Sequence, residues 1–322
     1  MQDLIRNLKS SDTLAKKEAI HNVWEYFQQV PEINGDQVLL GDDAAAIKSG
    51  DEYLLLAGEG VYPPLLKSNP YLAGRTSVLT NVNDVYAMGG RPVAIVDVLI
   101  SSDVETTGEV LRGVRDNASR YNVPVVGGHI SQDASSASLA VFILGKAKKL
   151  LSSFNAQSGD DLVFITNSKG KFISGFNFWD SSSMMSSSEV MADLELVAET
   201  AEEGLSLAGK DVSMAGLIGS LLMLLECSSL GGEINIGTIP RPYEVPLAEW
   251  MLTFPSFGFI LSVNPEKTPL VREKFTRAGL TCESIGKVIE EKSIYFVDNK
   301  GNKALFWDFH KNTLIGVREI IY

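Results

Sequence analysis

The chain divides by the period of its apolar positions. Between Val38 and Leu144, short aliphatic runs alternate with longer amphipathic stretches. The runs 53-YLLLA-57, 93-VAIVDVLI-100, 123-VPVV-126 and 138-SLAVFIL-144 are bounded by Gly, Pro, Asp or Ser and predict strands. Val78, Leu79, Val82, Val85 and Tyr86 recur at helical spacing, and Gly89, Gly90 and Pro92 stop that helix. A second helix is marked by Val110, Leu111, Val114, Ala118 and Tyr121. The pattern predicts a mixed sheet with two helices on one face.

The polar, small-residue stretch 145–161 places a domain boundary near 150. Three parts are expected: a helical N-terminal extension over 1–35, an N-terminal domain over 36–150 and a C-terminal α/β domain over 151–322. The second domain opens on the strand 162-LVFIT-166. The serine-rich 167–188 then reads as a long mobile loop, either a substrate lid or a disordered insertion. A helix is marked by Val190, Met191, Leu194, Val197 and Leu205, and an apolar helix covers about 215–226. Strands are expected near 233–236, 257–263, 293–297 and 303–306, with a helix near 269–278. The fold class is therefore α/β (α+β) in two domains.

Composition narrows the function. The chain has 322 residues, long enough for two cores, and 45% of them are hydrophobic. Its longest apolar run, 214-MAGLIGSLLMLL-225, is too short to span a bilayer, so no membrane partner is expected. The first thirty residues look helical and amphipathic rather than like a secretory leader. Cys227 and Cys282 lack CxxC spacing, which leaves a reducing, cytoplasmic setting as the expectation. A net charge of −12 without a basic cluster argues against nucleic acid. A polyanionic ligand would need metal ions or helix N-termini to neutralise it.

Candidate chemistry gathers around carboxylates. Asp42 and Asp43 follow Gly41 and precede three alanines, which are poor turn residues. Asp84 lies in mid-helix, where it makes no cap, and Asn81 sits three residues before it on the same face. Alone, Asp84 reads as an exposed helical acid. Together with Glu59, these acids come from a loop, a strand end and a helix, and magnesium favours such hard oxygen ligands. Gly127 and Gly128, read as a turn after 123-VPVV-126, would let a ligand approach the backbone. His129 is then either a candidate acid–base group facing the same space or a structural histidine. Asp211 and Ser213 precede the apolar helix, where they suit an N-cap or an anion site. In the serine-rich loop, Lys169, Lys171 and Trp179 are candidate contacts for an anionic or planar metabolite.

The motifs GDDAAAI (41–47), NVNDVYAMGGRP (81–92), VPVVGGH (123–129) and DVSMAGL (211–217) share one further property. In order and approximate spacing they resemble the aminoimidazole ribonucleotide (AIR) synthetase superfamily, over about residues 35 to 310. That group includes thiamine-monophosphate kinase, selenophosphate synthetase and the hydrogenase-maturation carbamoyl dehydratase. SFGFILSVNPE and ECSSLGGEI are most similar to its AIR synthase-related branch. The resemblance implies a homodimer pairing N-terminal sheets, with ATP held through Mg2+. Asp43 and Asp84 would be metal ligands, with Asp42 and Asn81 beside the phosphates; Glu59, which departs from the relatives, could still reach a metal as a further candidate ligand. Gly127 and Gly128 would line the nucleotide, approached by Asp211 and Ser213.

Several positions depart from the relatives: Gly58-Glu59 replaces Thr-Asp, and His129 and Met214 replace acids of the kinase. No cysteine occurs in the first thirty residues, where selenophosphate synthetase needs a reactive one. The expected activity is ATP- and Mg-dependent phosphoryl transfer to a small-molecule acceptor, as a kinase or a synthetase/ligase. The rival readings are a nucleotide-binding scaffold subunit without turnover and a metal-dependent phosphohydrolase.

Overall fold

The computed structural model describes residues 1–27, 29–132 and 135–317. Two compact units emerge, and they do not follow the linear division. The N-terminal sheet unit comprises Asp43–Lys149 with Met185–Ala198, and the other unit takes Met1–Asp42, Leu150–Met184 and the chain from Glu199 onward.

In the sheet unit the strands are β1 (Ala45–Ser49), β2 (Glu52–Gly60), β3 (Arg91–Ile100), β4 (Val125–Ser131) and β5 (Ser138–Ala147). The two long helices of the Asp43–Lys149 segment are α1 (Pro70–Ala87) and α2 (Val104–Arg120). The strand order is β1-β2-β5-β3-β4, antiparallel except for the β3–β4 pair, which α2 connects. This is the expected mixed sheet. Alternation sends Leu55, Ala57, Ile95, Leu99, Val141 and Ile143 into the core beneath the helices. The other face carries Leu56, Val96, Phe142 and Leu144, which are 37% to 49% exposed.

Glycine permits the close contacts. A Cβ at Gly74 would strike the Val110 carbonyl, and one at Gly113 would strike the Tyr71 carbonyl, so α1 and α2 cross backbone to backbone. On the exposed face a Cβ at Gly58 would run into the Phe142 ring on the paired strand. The ring covers the gap, which accounts for glycine at this position.

The second unit holds a seven-stranded sheet. Its strands are β6 (Asp161–Thr166), β7 (Ala208–Asp211), β8 (Gly231–Asn235), β9 (Gly258–Val263), β10 (Thr281–Ile289), β11 (Ser293–Val297) and β12 (Lys303–Asp308). They run in the order β7-β9-β6-β10-β8-β11-β12. Every residue of the apolar helix Gly216–Cys227 is buried, Ser220 and Glu226 included, as its predominantly hydrophobic sequence requires. Ile5, Leu8 and Leu14 of the N-terminal helices join the same core, so the expected extension belongs to this unit.

Three expectations change. Gly127 and Gly128 lie within β4, not in a turn, because β4 continues pairing with β3 through Ile100 and Ser131. The serine-rich segment is folded: Phe178–Asp180 pairs with Lys171–Phe172 and with Phe254–Pro255. Strand β10 goes unpredicted, since 281-TCESIGKVI-289 mixes Glu, Ser and Gly into a weak alternation.

Candidate functional site

The candidate site is built around α1. Asn69 caps this helix by accepting the Leu72 amide at 3.0 Å, with Pro70 in its first turn. At the other end Gly89 adopts φ +76° and donates to the Tyr86 carbonyl, which terminates the helix. Between these ends α1 is buried on nearly every side, polar residues included. Its hydroxyls and amide turn back on their own helix. Thr76 donates to the Leu72 carbonyl at 3.0 Å, Ser77 to Gly74 at 2.8 Å and Asn81 to Ser77 at 2.8 Å.

Asp84 is therefore not an exposed helical acid, being only 6% exposed. A carboxylate oxygen of Asp84 and one of Asp43 lie within 4.8 Å of each other. One turn earlier on α1, Asn81 is fully buried and its Oδ1 accepts no hydrogen bond. Two close like charges and an orphaned carbonyl oxygen suit a hard cation. The residues present thus fit magnesium.

Asp42 belongs to the other unit, where its carboxylate accepts Ser152 Oγ at 2.6 Å and the Ser153 amide at 3.1 Å. The adjacent acids thus have different neighbours, Ser152 and Ser153 for Asp42 and Asp84 for Asp43. Glu59 is exposed on β2 and is not among the carboxylates within 4.8 Å of both Asp43 and Asp84. His129 pairs with Val98 on the edge strand β4 and is exposed. Gly128 sits beside Asp97, whose Oδ1 would lie 2.5 Å from any Cβ placed there. Gly127 is exposed, 3.9 Å from Val96 by the same measure.

In the second unit, Asp211 ends β7 and is 1% exposed, and Ser213 lies in the connection before Gly216–Cys227. Lys169 and Lys171 are exposed. Trp179 is 6% exposed, its indole nitrogen donates to the Asn167 carbonyl, and its ring packs on Phe172 and Trp250. It is a core residue, which corrects its reading as a substrate platform.

Glu195 escaped notice in the sequence. It lies on α3 (Ser187–Glu202), accepts the Tyr86 hydroxyl at 3.1 Å and takes Arg91 Nε at 2.8 Å. These contacts fasten the last turn of α1 and the start of β3 within the sheet unit. Burial, followed by the Glu195 charge, holds the Tyr86 phenol well above its ordinary pKa, so it remains a donor.

Residues 41–147 match the family described as AIR synthase related protein, N-terminal domain, and residues 161–299 match its C-terminal domain. The chain belongs to this AIR synthase related family. It is 39% identical over 318 residues to an uncharacterized protein of Synechocystis, covering 98% of each chain. An uncharacterized protein of Methanocaldococcus jannaschii is 36% identical over 322 residues, with 98% of this chain and 99% of the relative covered. Among solved structures, Thermotoga maritima PurL complexed with ATP superposes with a TM-score of 0.75 at 18% identity. That match covers 95% of this chain and 52% of PurL, so the chain spans about half the PurL length. The AIR synthase related fold is thereby established. No helix among the described residues is long and apolar enough to cross a membrane.

Proposed function

We propose that this AIR synthase related protein binds ATP with magnesium and directs its terminal phosphoryl group to an oxygen of a small metabolite, as a kinase or a synthetase. The observation that carries this reading is the pair Asp43 and Asp84, with carboxylate oxygens within 4.8 Å and Asn81 Oδ1 orphaned one turn away. Two carboxylates that close repel each other, and a divalent cation between them offsets that repulsion. Asp43 and Asp84 would hold the metal, and Asn81 would offer a neutral oxygen beside it. Magnesium, when bound, supplies neutralisation of the phosphate charge.

This chemistry asks little covalent work of the protein, mainly positioning and charge balance. The buried, doubly capped α1 suits that task, because a rigid helix fixes Asp84 and Asn81 relative to each other. His129 stands exposed on β4 as the candidate acid–base group. Lys169 and Lys171 are exposed cations suited to an anionic acceptor. The PurL neighbour was solved with ATP, which supports the nucleotide half of this reading.

The exposed apolar face of the sheet, with Leu56, Val96, Phe142 and Leu144, favours a second copy of this chain as its cover. Leu56→Asp should convert a dimer to a monomer by sedimentation while the fold is retained. A wild-type protein that sediments as a monomer removes the dimer from this reading.

The decisive experiment is calorimetric titration with ATP, with and without magnesium, on wild type, Asp43→Asn and Asp84→Asn. Each substitution should weaken magnesium-dependent binding at least tenfold, about 1.4 kcal/mol. Unchanged affinity in both variants overturns the assignment of the acids. Metal-dependent binding without turnover on any acceptor would favour a nucleotide-binding scaffold subunit instead.

A further inference from the structure

A second carboxylate of the sheet unit poses a separate problem. Asp97 lies on β3 between Ile95 and Leu99, which point into the core and are 1% and 0% exposed. By strand alternation Asp97 shares their face, and it is itself only 7% exposed. The sequence pattern 93-VAIVDVLI-100 thus puts an acid where the sheet asks for an aliphatic side chain. Its oxygen has room only because the facing residue on β4 is Gly128.

Asp97 forms the polar floor of a groove of about 700 Å³ between α2 and the β3–β4 margin. Leu111, Val114 and Ala118 of α2 form one wall, and Val123 and Val125 form the other. Ser119 and Asn122 stand at the exposed rim. Arg115 also borders the groove, yet its guanidinium is committed to Asp116, with Nε at 2.9 Å and Nη2 at 2.7 Å. Among the described residues no cation acts on Asp97, and only its own backbone amide offsets its burial. Nor is Asp97 among the carboxylates close to Asp43 and Asp84.

We propose that this groove binds a small organic cation, a primary ammonium or amidinium on a compact apolar body, with Asp97 taking the charged head and the α2 wall taking the body. The chemistry is complementary at both ends. An amine or amidine donates hydrogen bonds to a carboxylate that has few other donors, and charge-assisted bonds of this kind gain strength where water is excluded. The apolar walls reward burial of a ring or short alkyl group. Burial also raises the carboxyl pKa, the direction expected where a charge stands without its counterion. Such a site uses none of the metal-site residues Asp43, Asp84 and Asn81, and its carboxylate is distinct from theirs.

The test is an NMR titration of the full chain with benzamidine, followed through the methyl signals of Leu111, Val114 and Val125. Neutral benzamide, of nearly the same shape, is titrated in parallel. The expected result is saturable shifts with benzamidine, at least tenfold weaker binding of benzamide, and at least tenfold weaker benzamidine binding by Asp97→Asn. Ser119→Trp, which fills the exposed rim without touching the core, should also block binding. Equal response to the two probes, equal benzamidine affinity in Asp97→Asn, or no saturable shift in wild type would each overturn the proposal.

Discussion

Two buried acids in different units show what burial alone does not reveal. Glu226 ends the apolar helix Gly216–Cys227 at 5% exposure, and Asp97 sits in β3 at 7%. By exposure they are alike. Their surroundings differ completely. Glu226 accepts the amides of four consecutive residues, Leu314, Ile315, Gly316 and Val317, at 2.6 to 3.3 Å. Both of its oxygens are spent on fixing this last described stretch of the chain. Among the described residues, Asp97 has only its own amide and a groove in front of it. A buried carboxylate reveals its role only when the donors reaching each oxygen are counted. Saturated, it is a structural staple; unsaturated, it is open to a ligand.

Removing Glu226 should therefore have the largest effect. Glu226→Ala leaves four amides without their acceptor and should destabilise the protein by about 3 kcal/mol or more. Glu226→Gln keeps one oxygen acceptor and should lose less. The measurement is the urea midpoint of each variant, with unchanged m-values as the control for two-state behaviour. A loss below about 1 kcal/mol for the alanine variant would mean that water satisfies those amides equally well, and the contrast would collapse.

Neither acid was singled out in the sequence, for opposite reasons. Glu226 carries a signal, because an acid in the last turn opposes the helix dipole and so needs a reason to be there. Its partners lie some ninety residues away along the chain, beyond the reach of any local pattern. Asp97 carries a signal too, an acid on the inward period of an aliphatic strand, but β3 had first to be paired before inward and outward were defined. What was legible had local causes. The mixed sheet and its two helices followed from alternation and helical spacing, and α1 ended at Ala87, just before Gly89, as its glycines indicate.

The candidate site was legible in part. Asp43, Asp84 and Asn81 emerged from motif and spacing, whereas the separate duty of Asp42 depended on Ser152 and Ser153. Trp179 misled because serines around it suggest a loop. Its burial comes from long-range pairing with Phe254–Pro255 and contact with Trp250.

The last test sharpens the contrast through pH. The folded-state pKa of Asp97 is raised by burial, so the fold prefers its protonated form. At pH well above that raised value the group is ionised in folded and unfolded chains alike, and the fold bears the cost of its desolvation. As pH falls through the raised pKa, the folded protein takes up the proton before the unfolded chain does, and stability rises. Below the ordinary carboxylate pKa both states are protonated and no further change follows. Asp97→Asn, neutral at every pH, should then be more stable than wild type near neutrality, with the gain shrinking as pH falls through the raised value. The corresponding change at the saturated acid, Glu226→Gln, should be destabilising near neutrality. Paired denaturation curves at about pH 7 and about pH 4 would read both signs. If Asp97→Asn instead destabilises the protein at neutral pH, Asp97 is a staple like Glu226, and a groove kept open at the expense of stability is no longer needed to explain it.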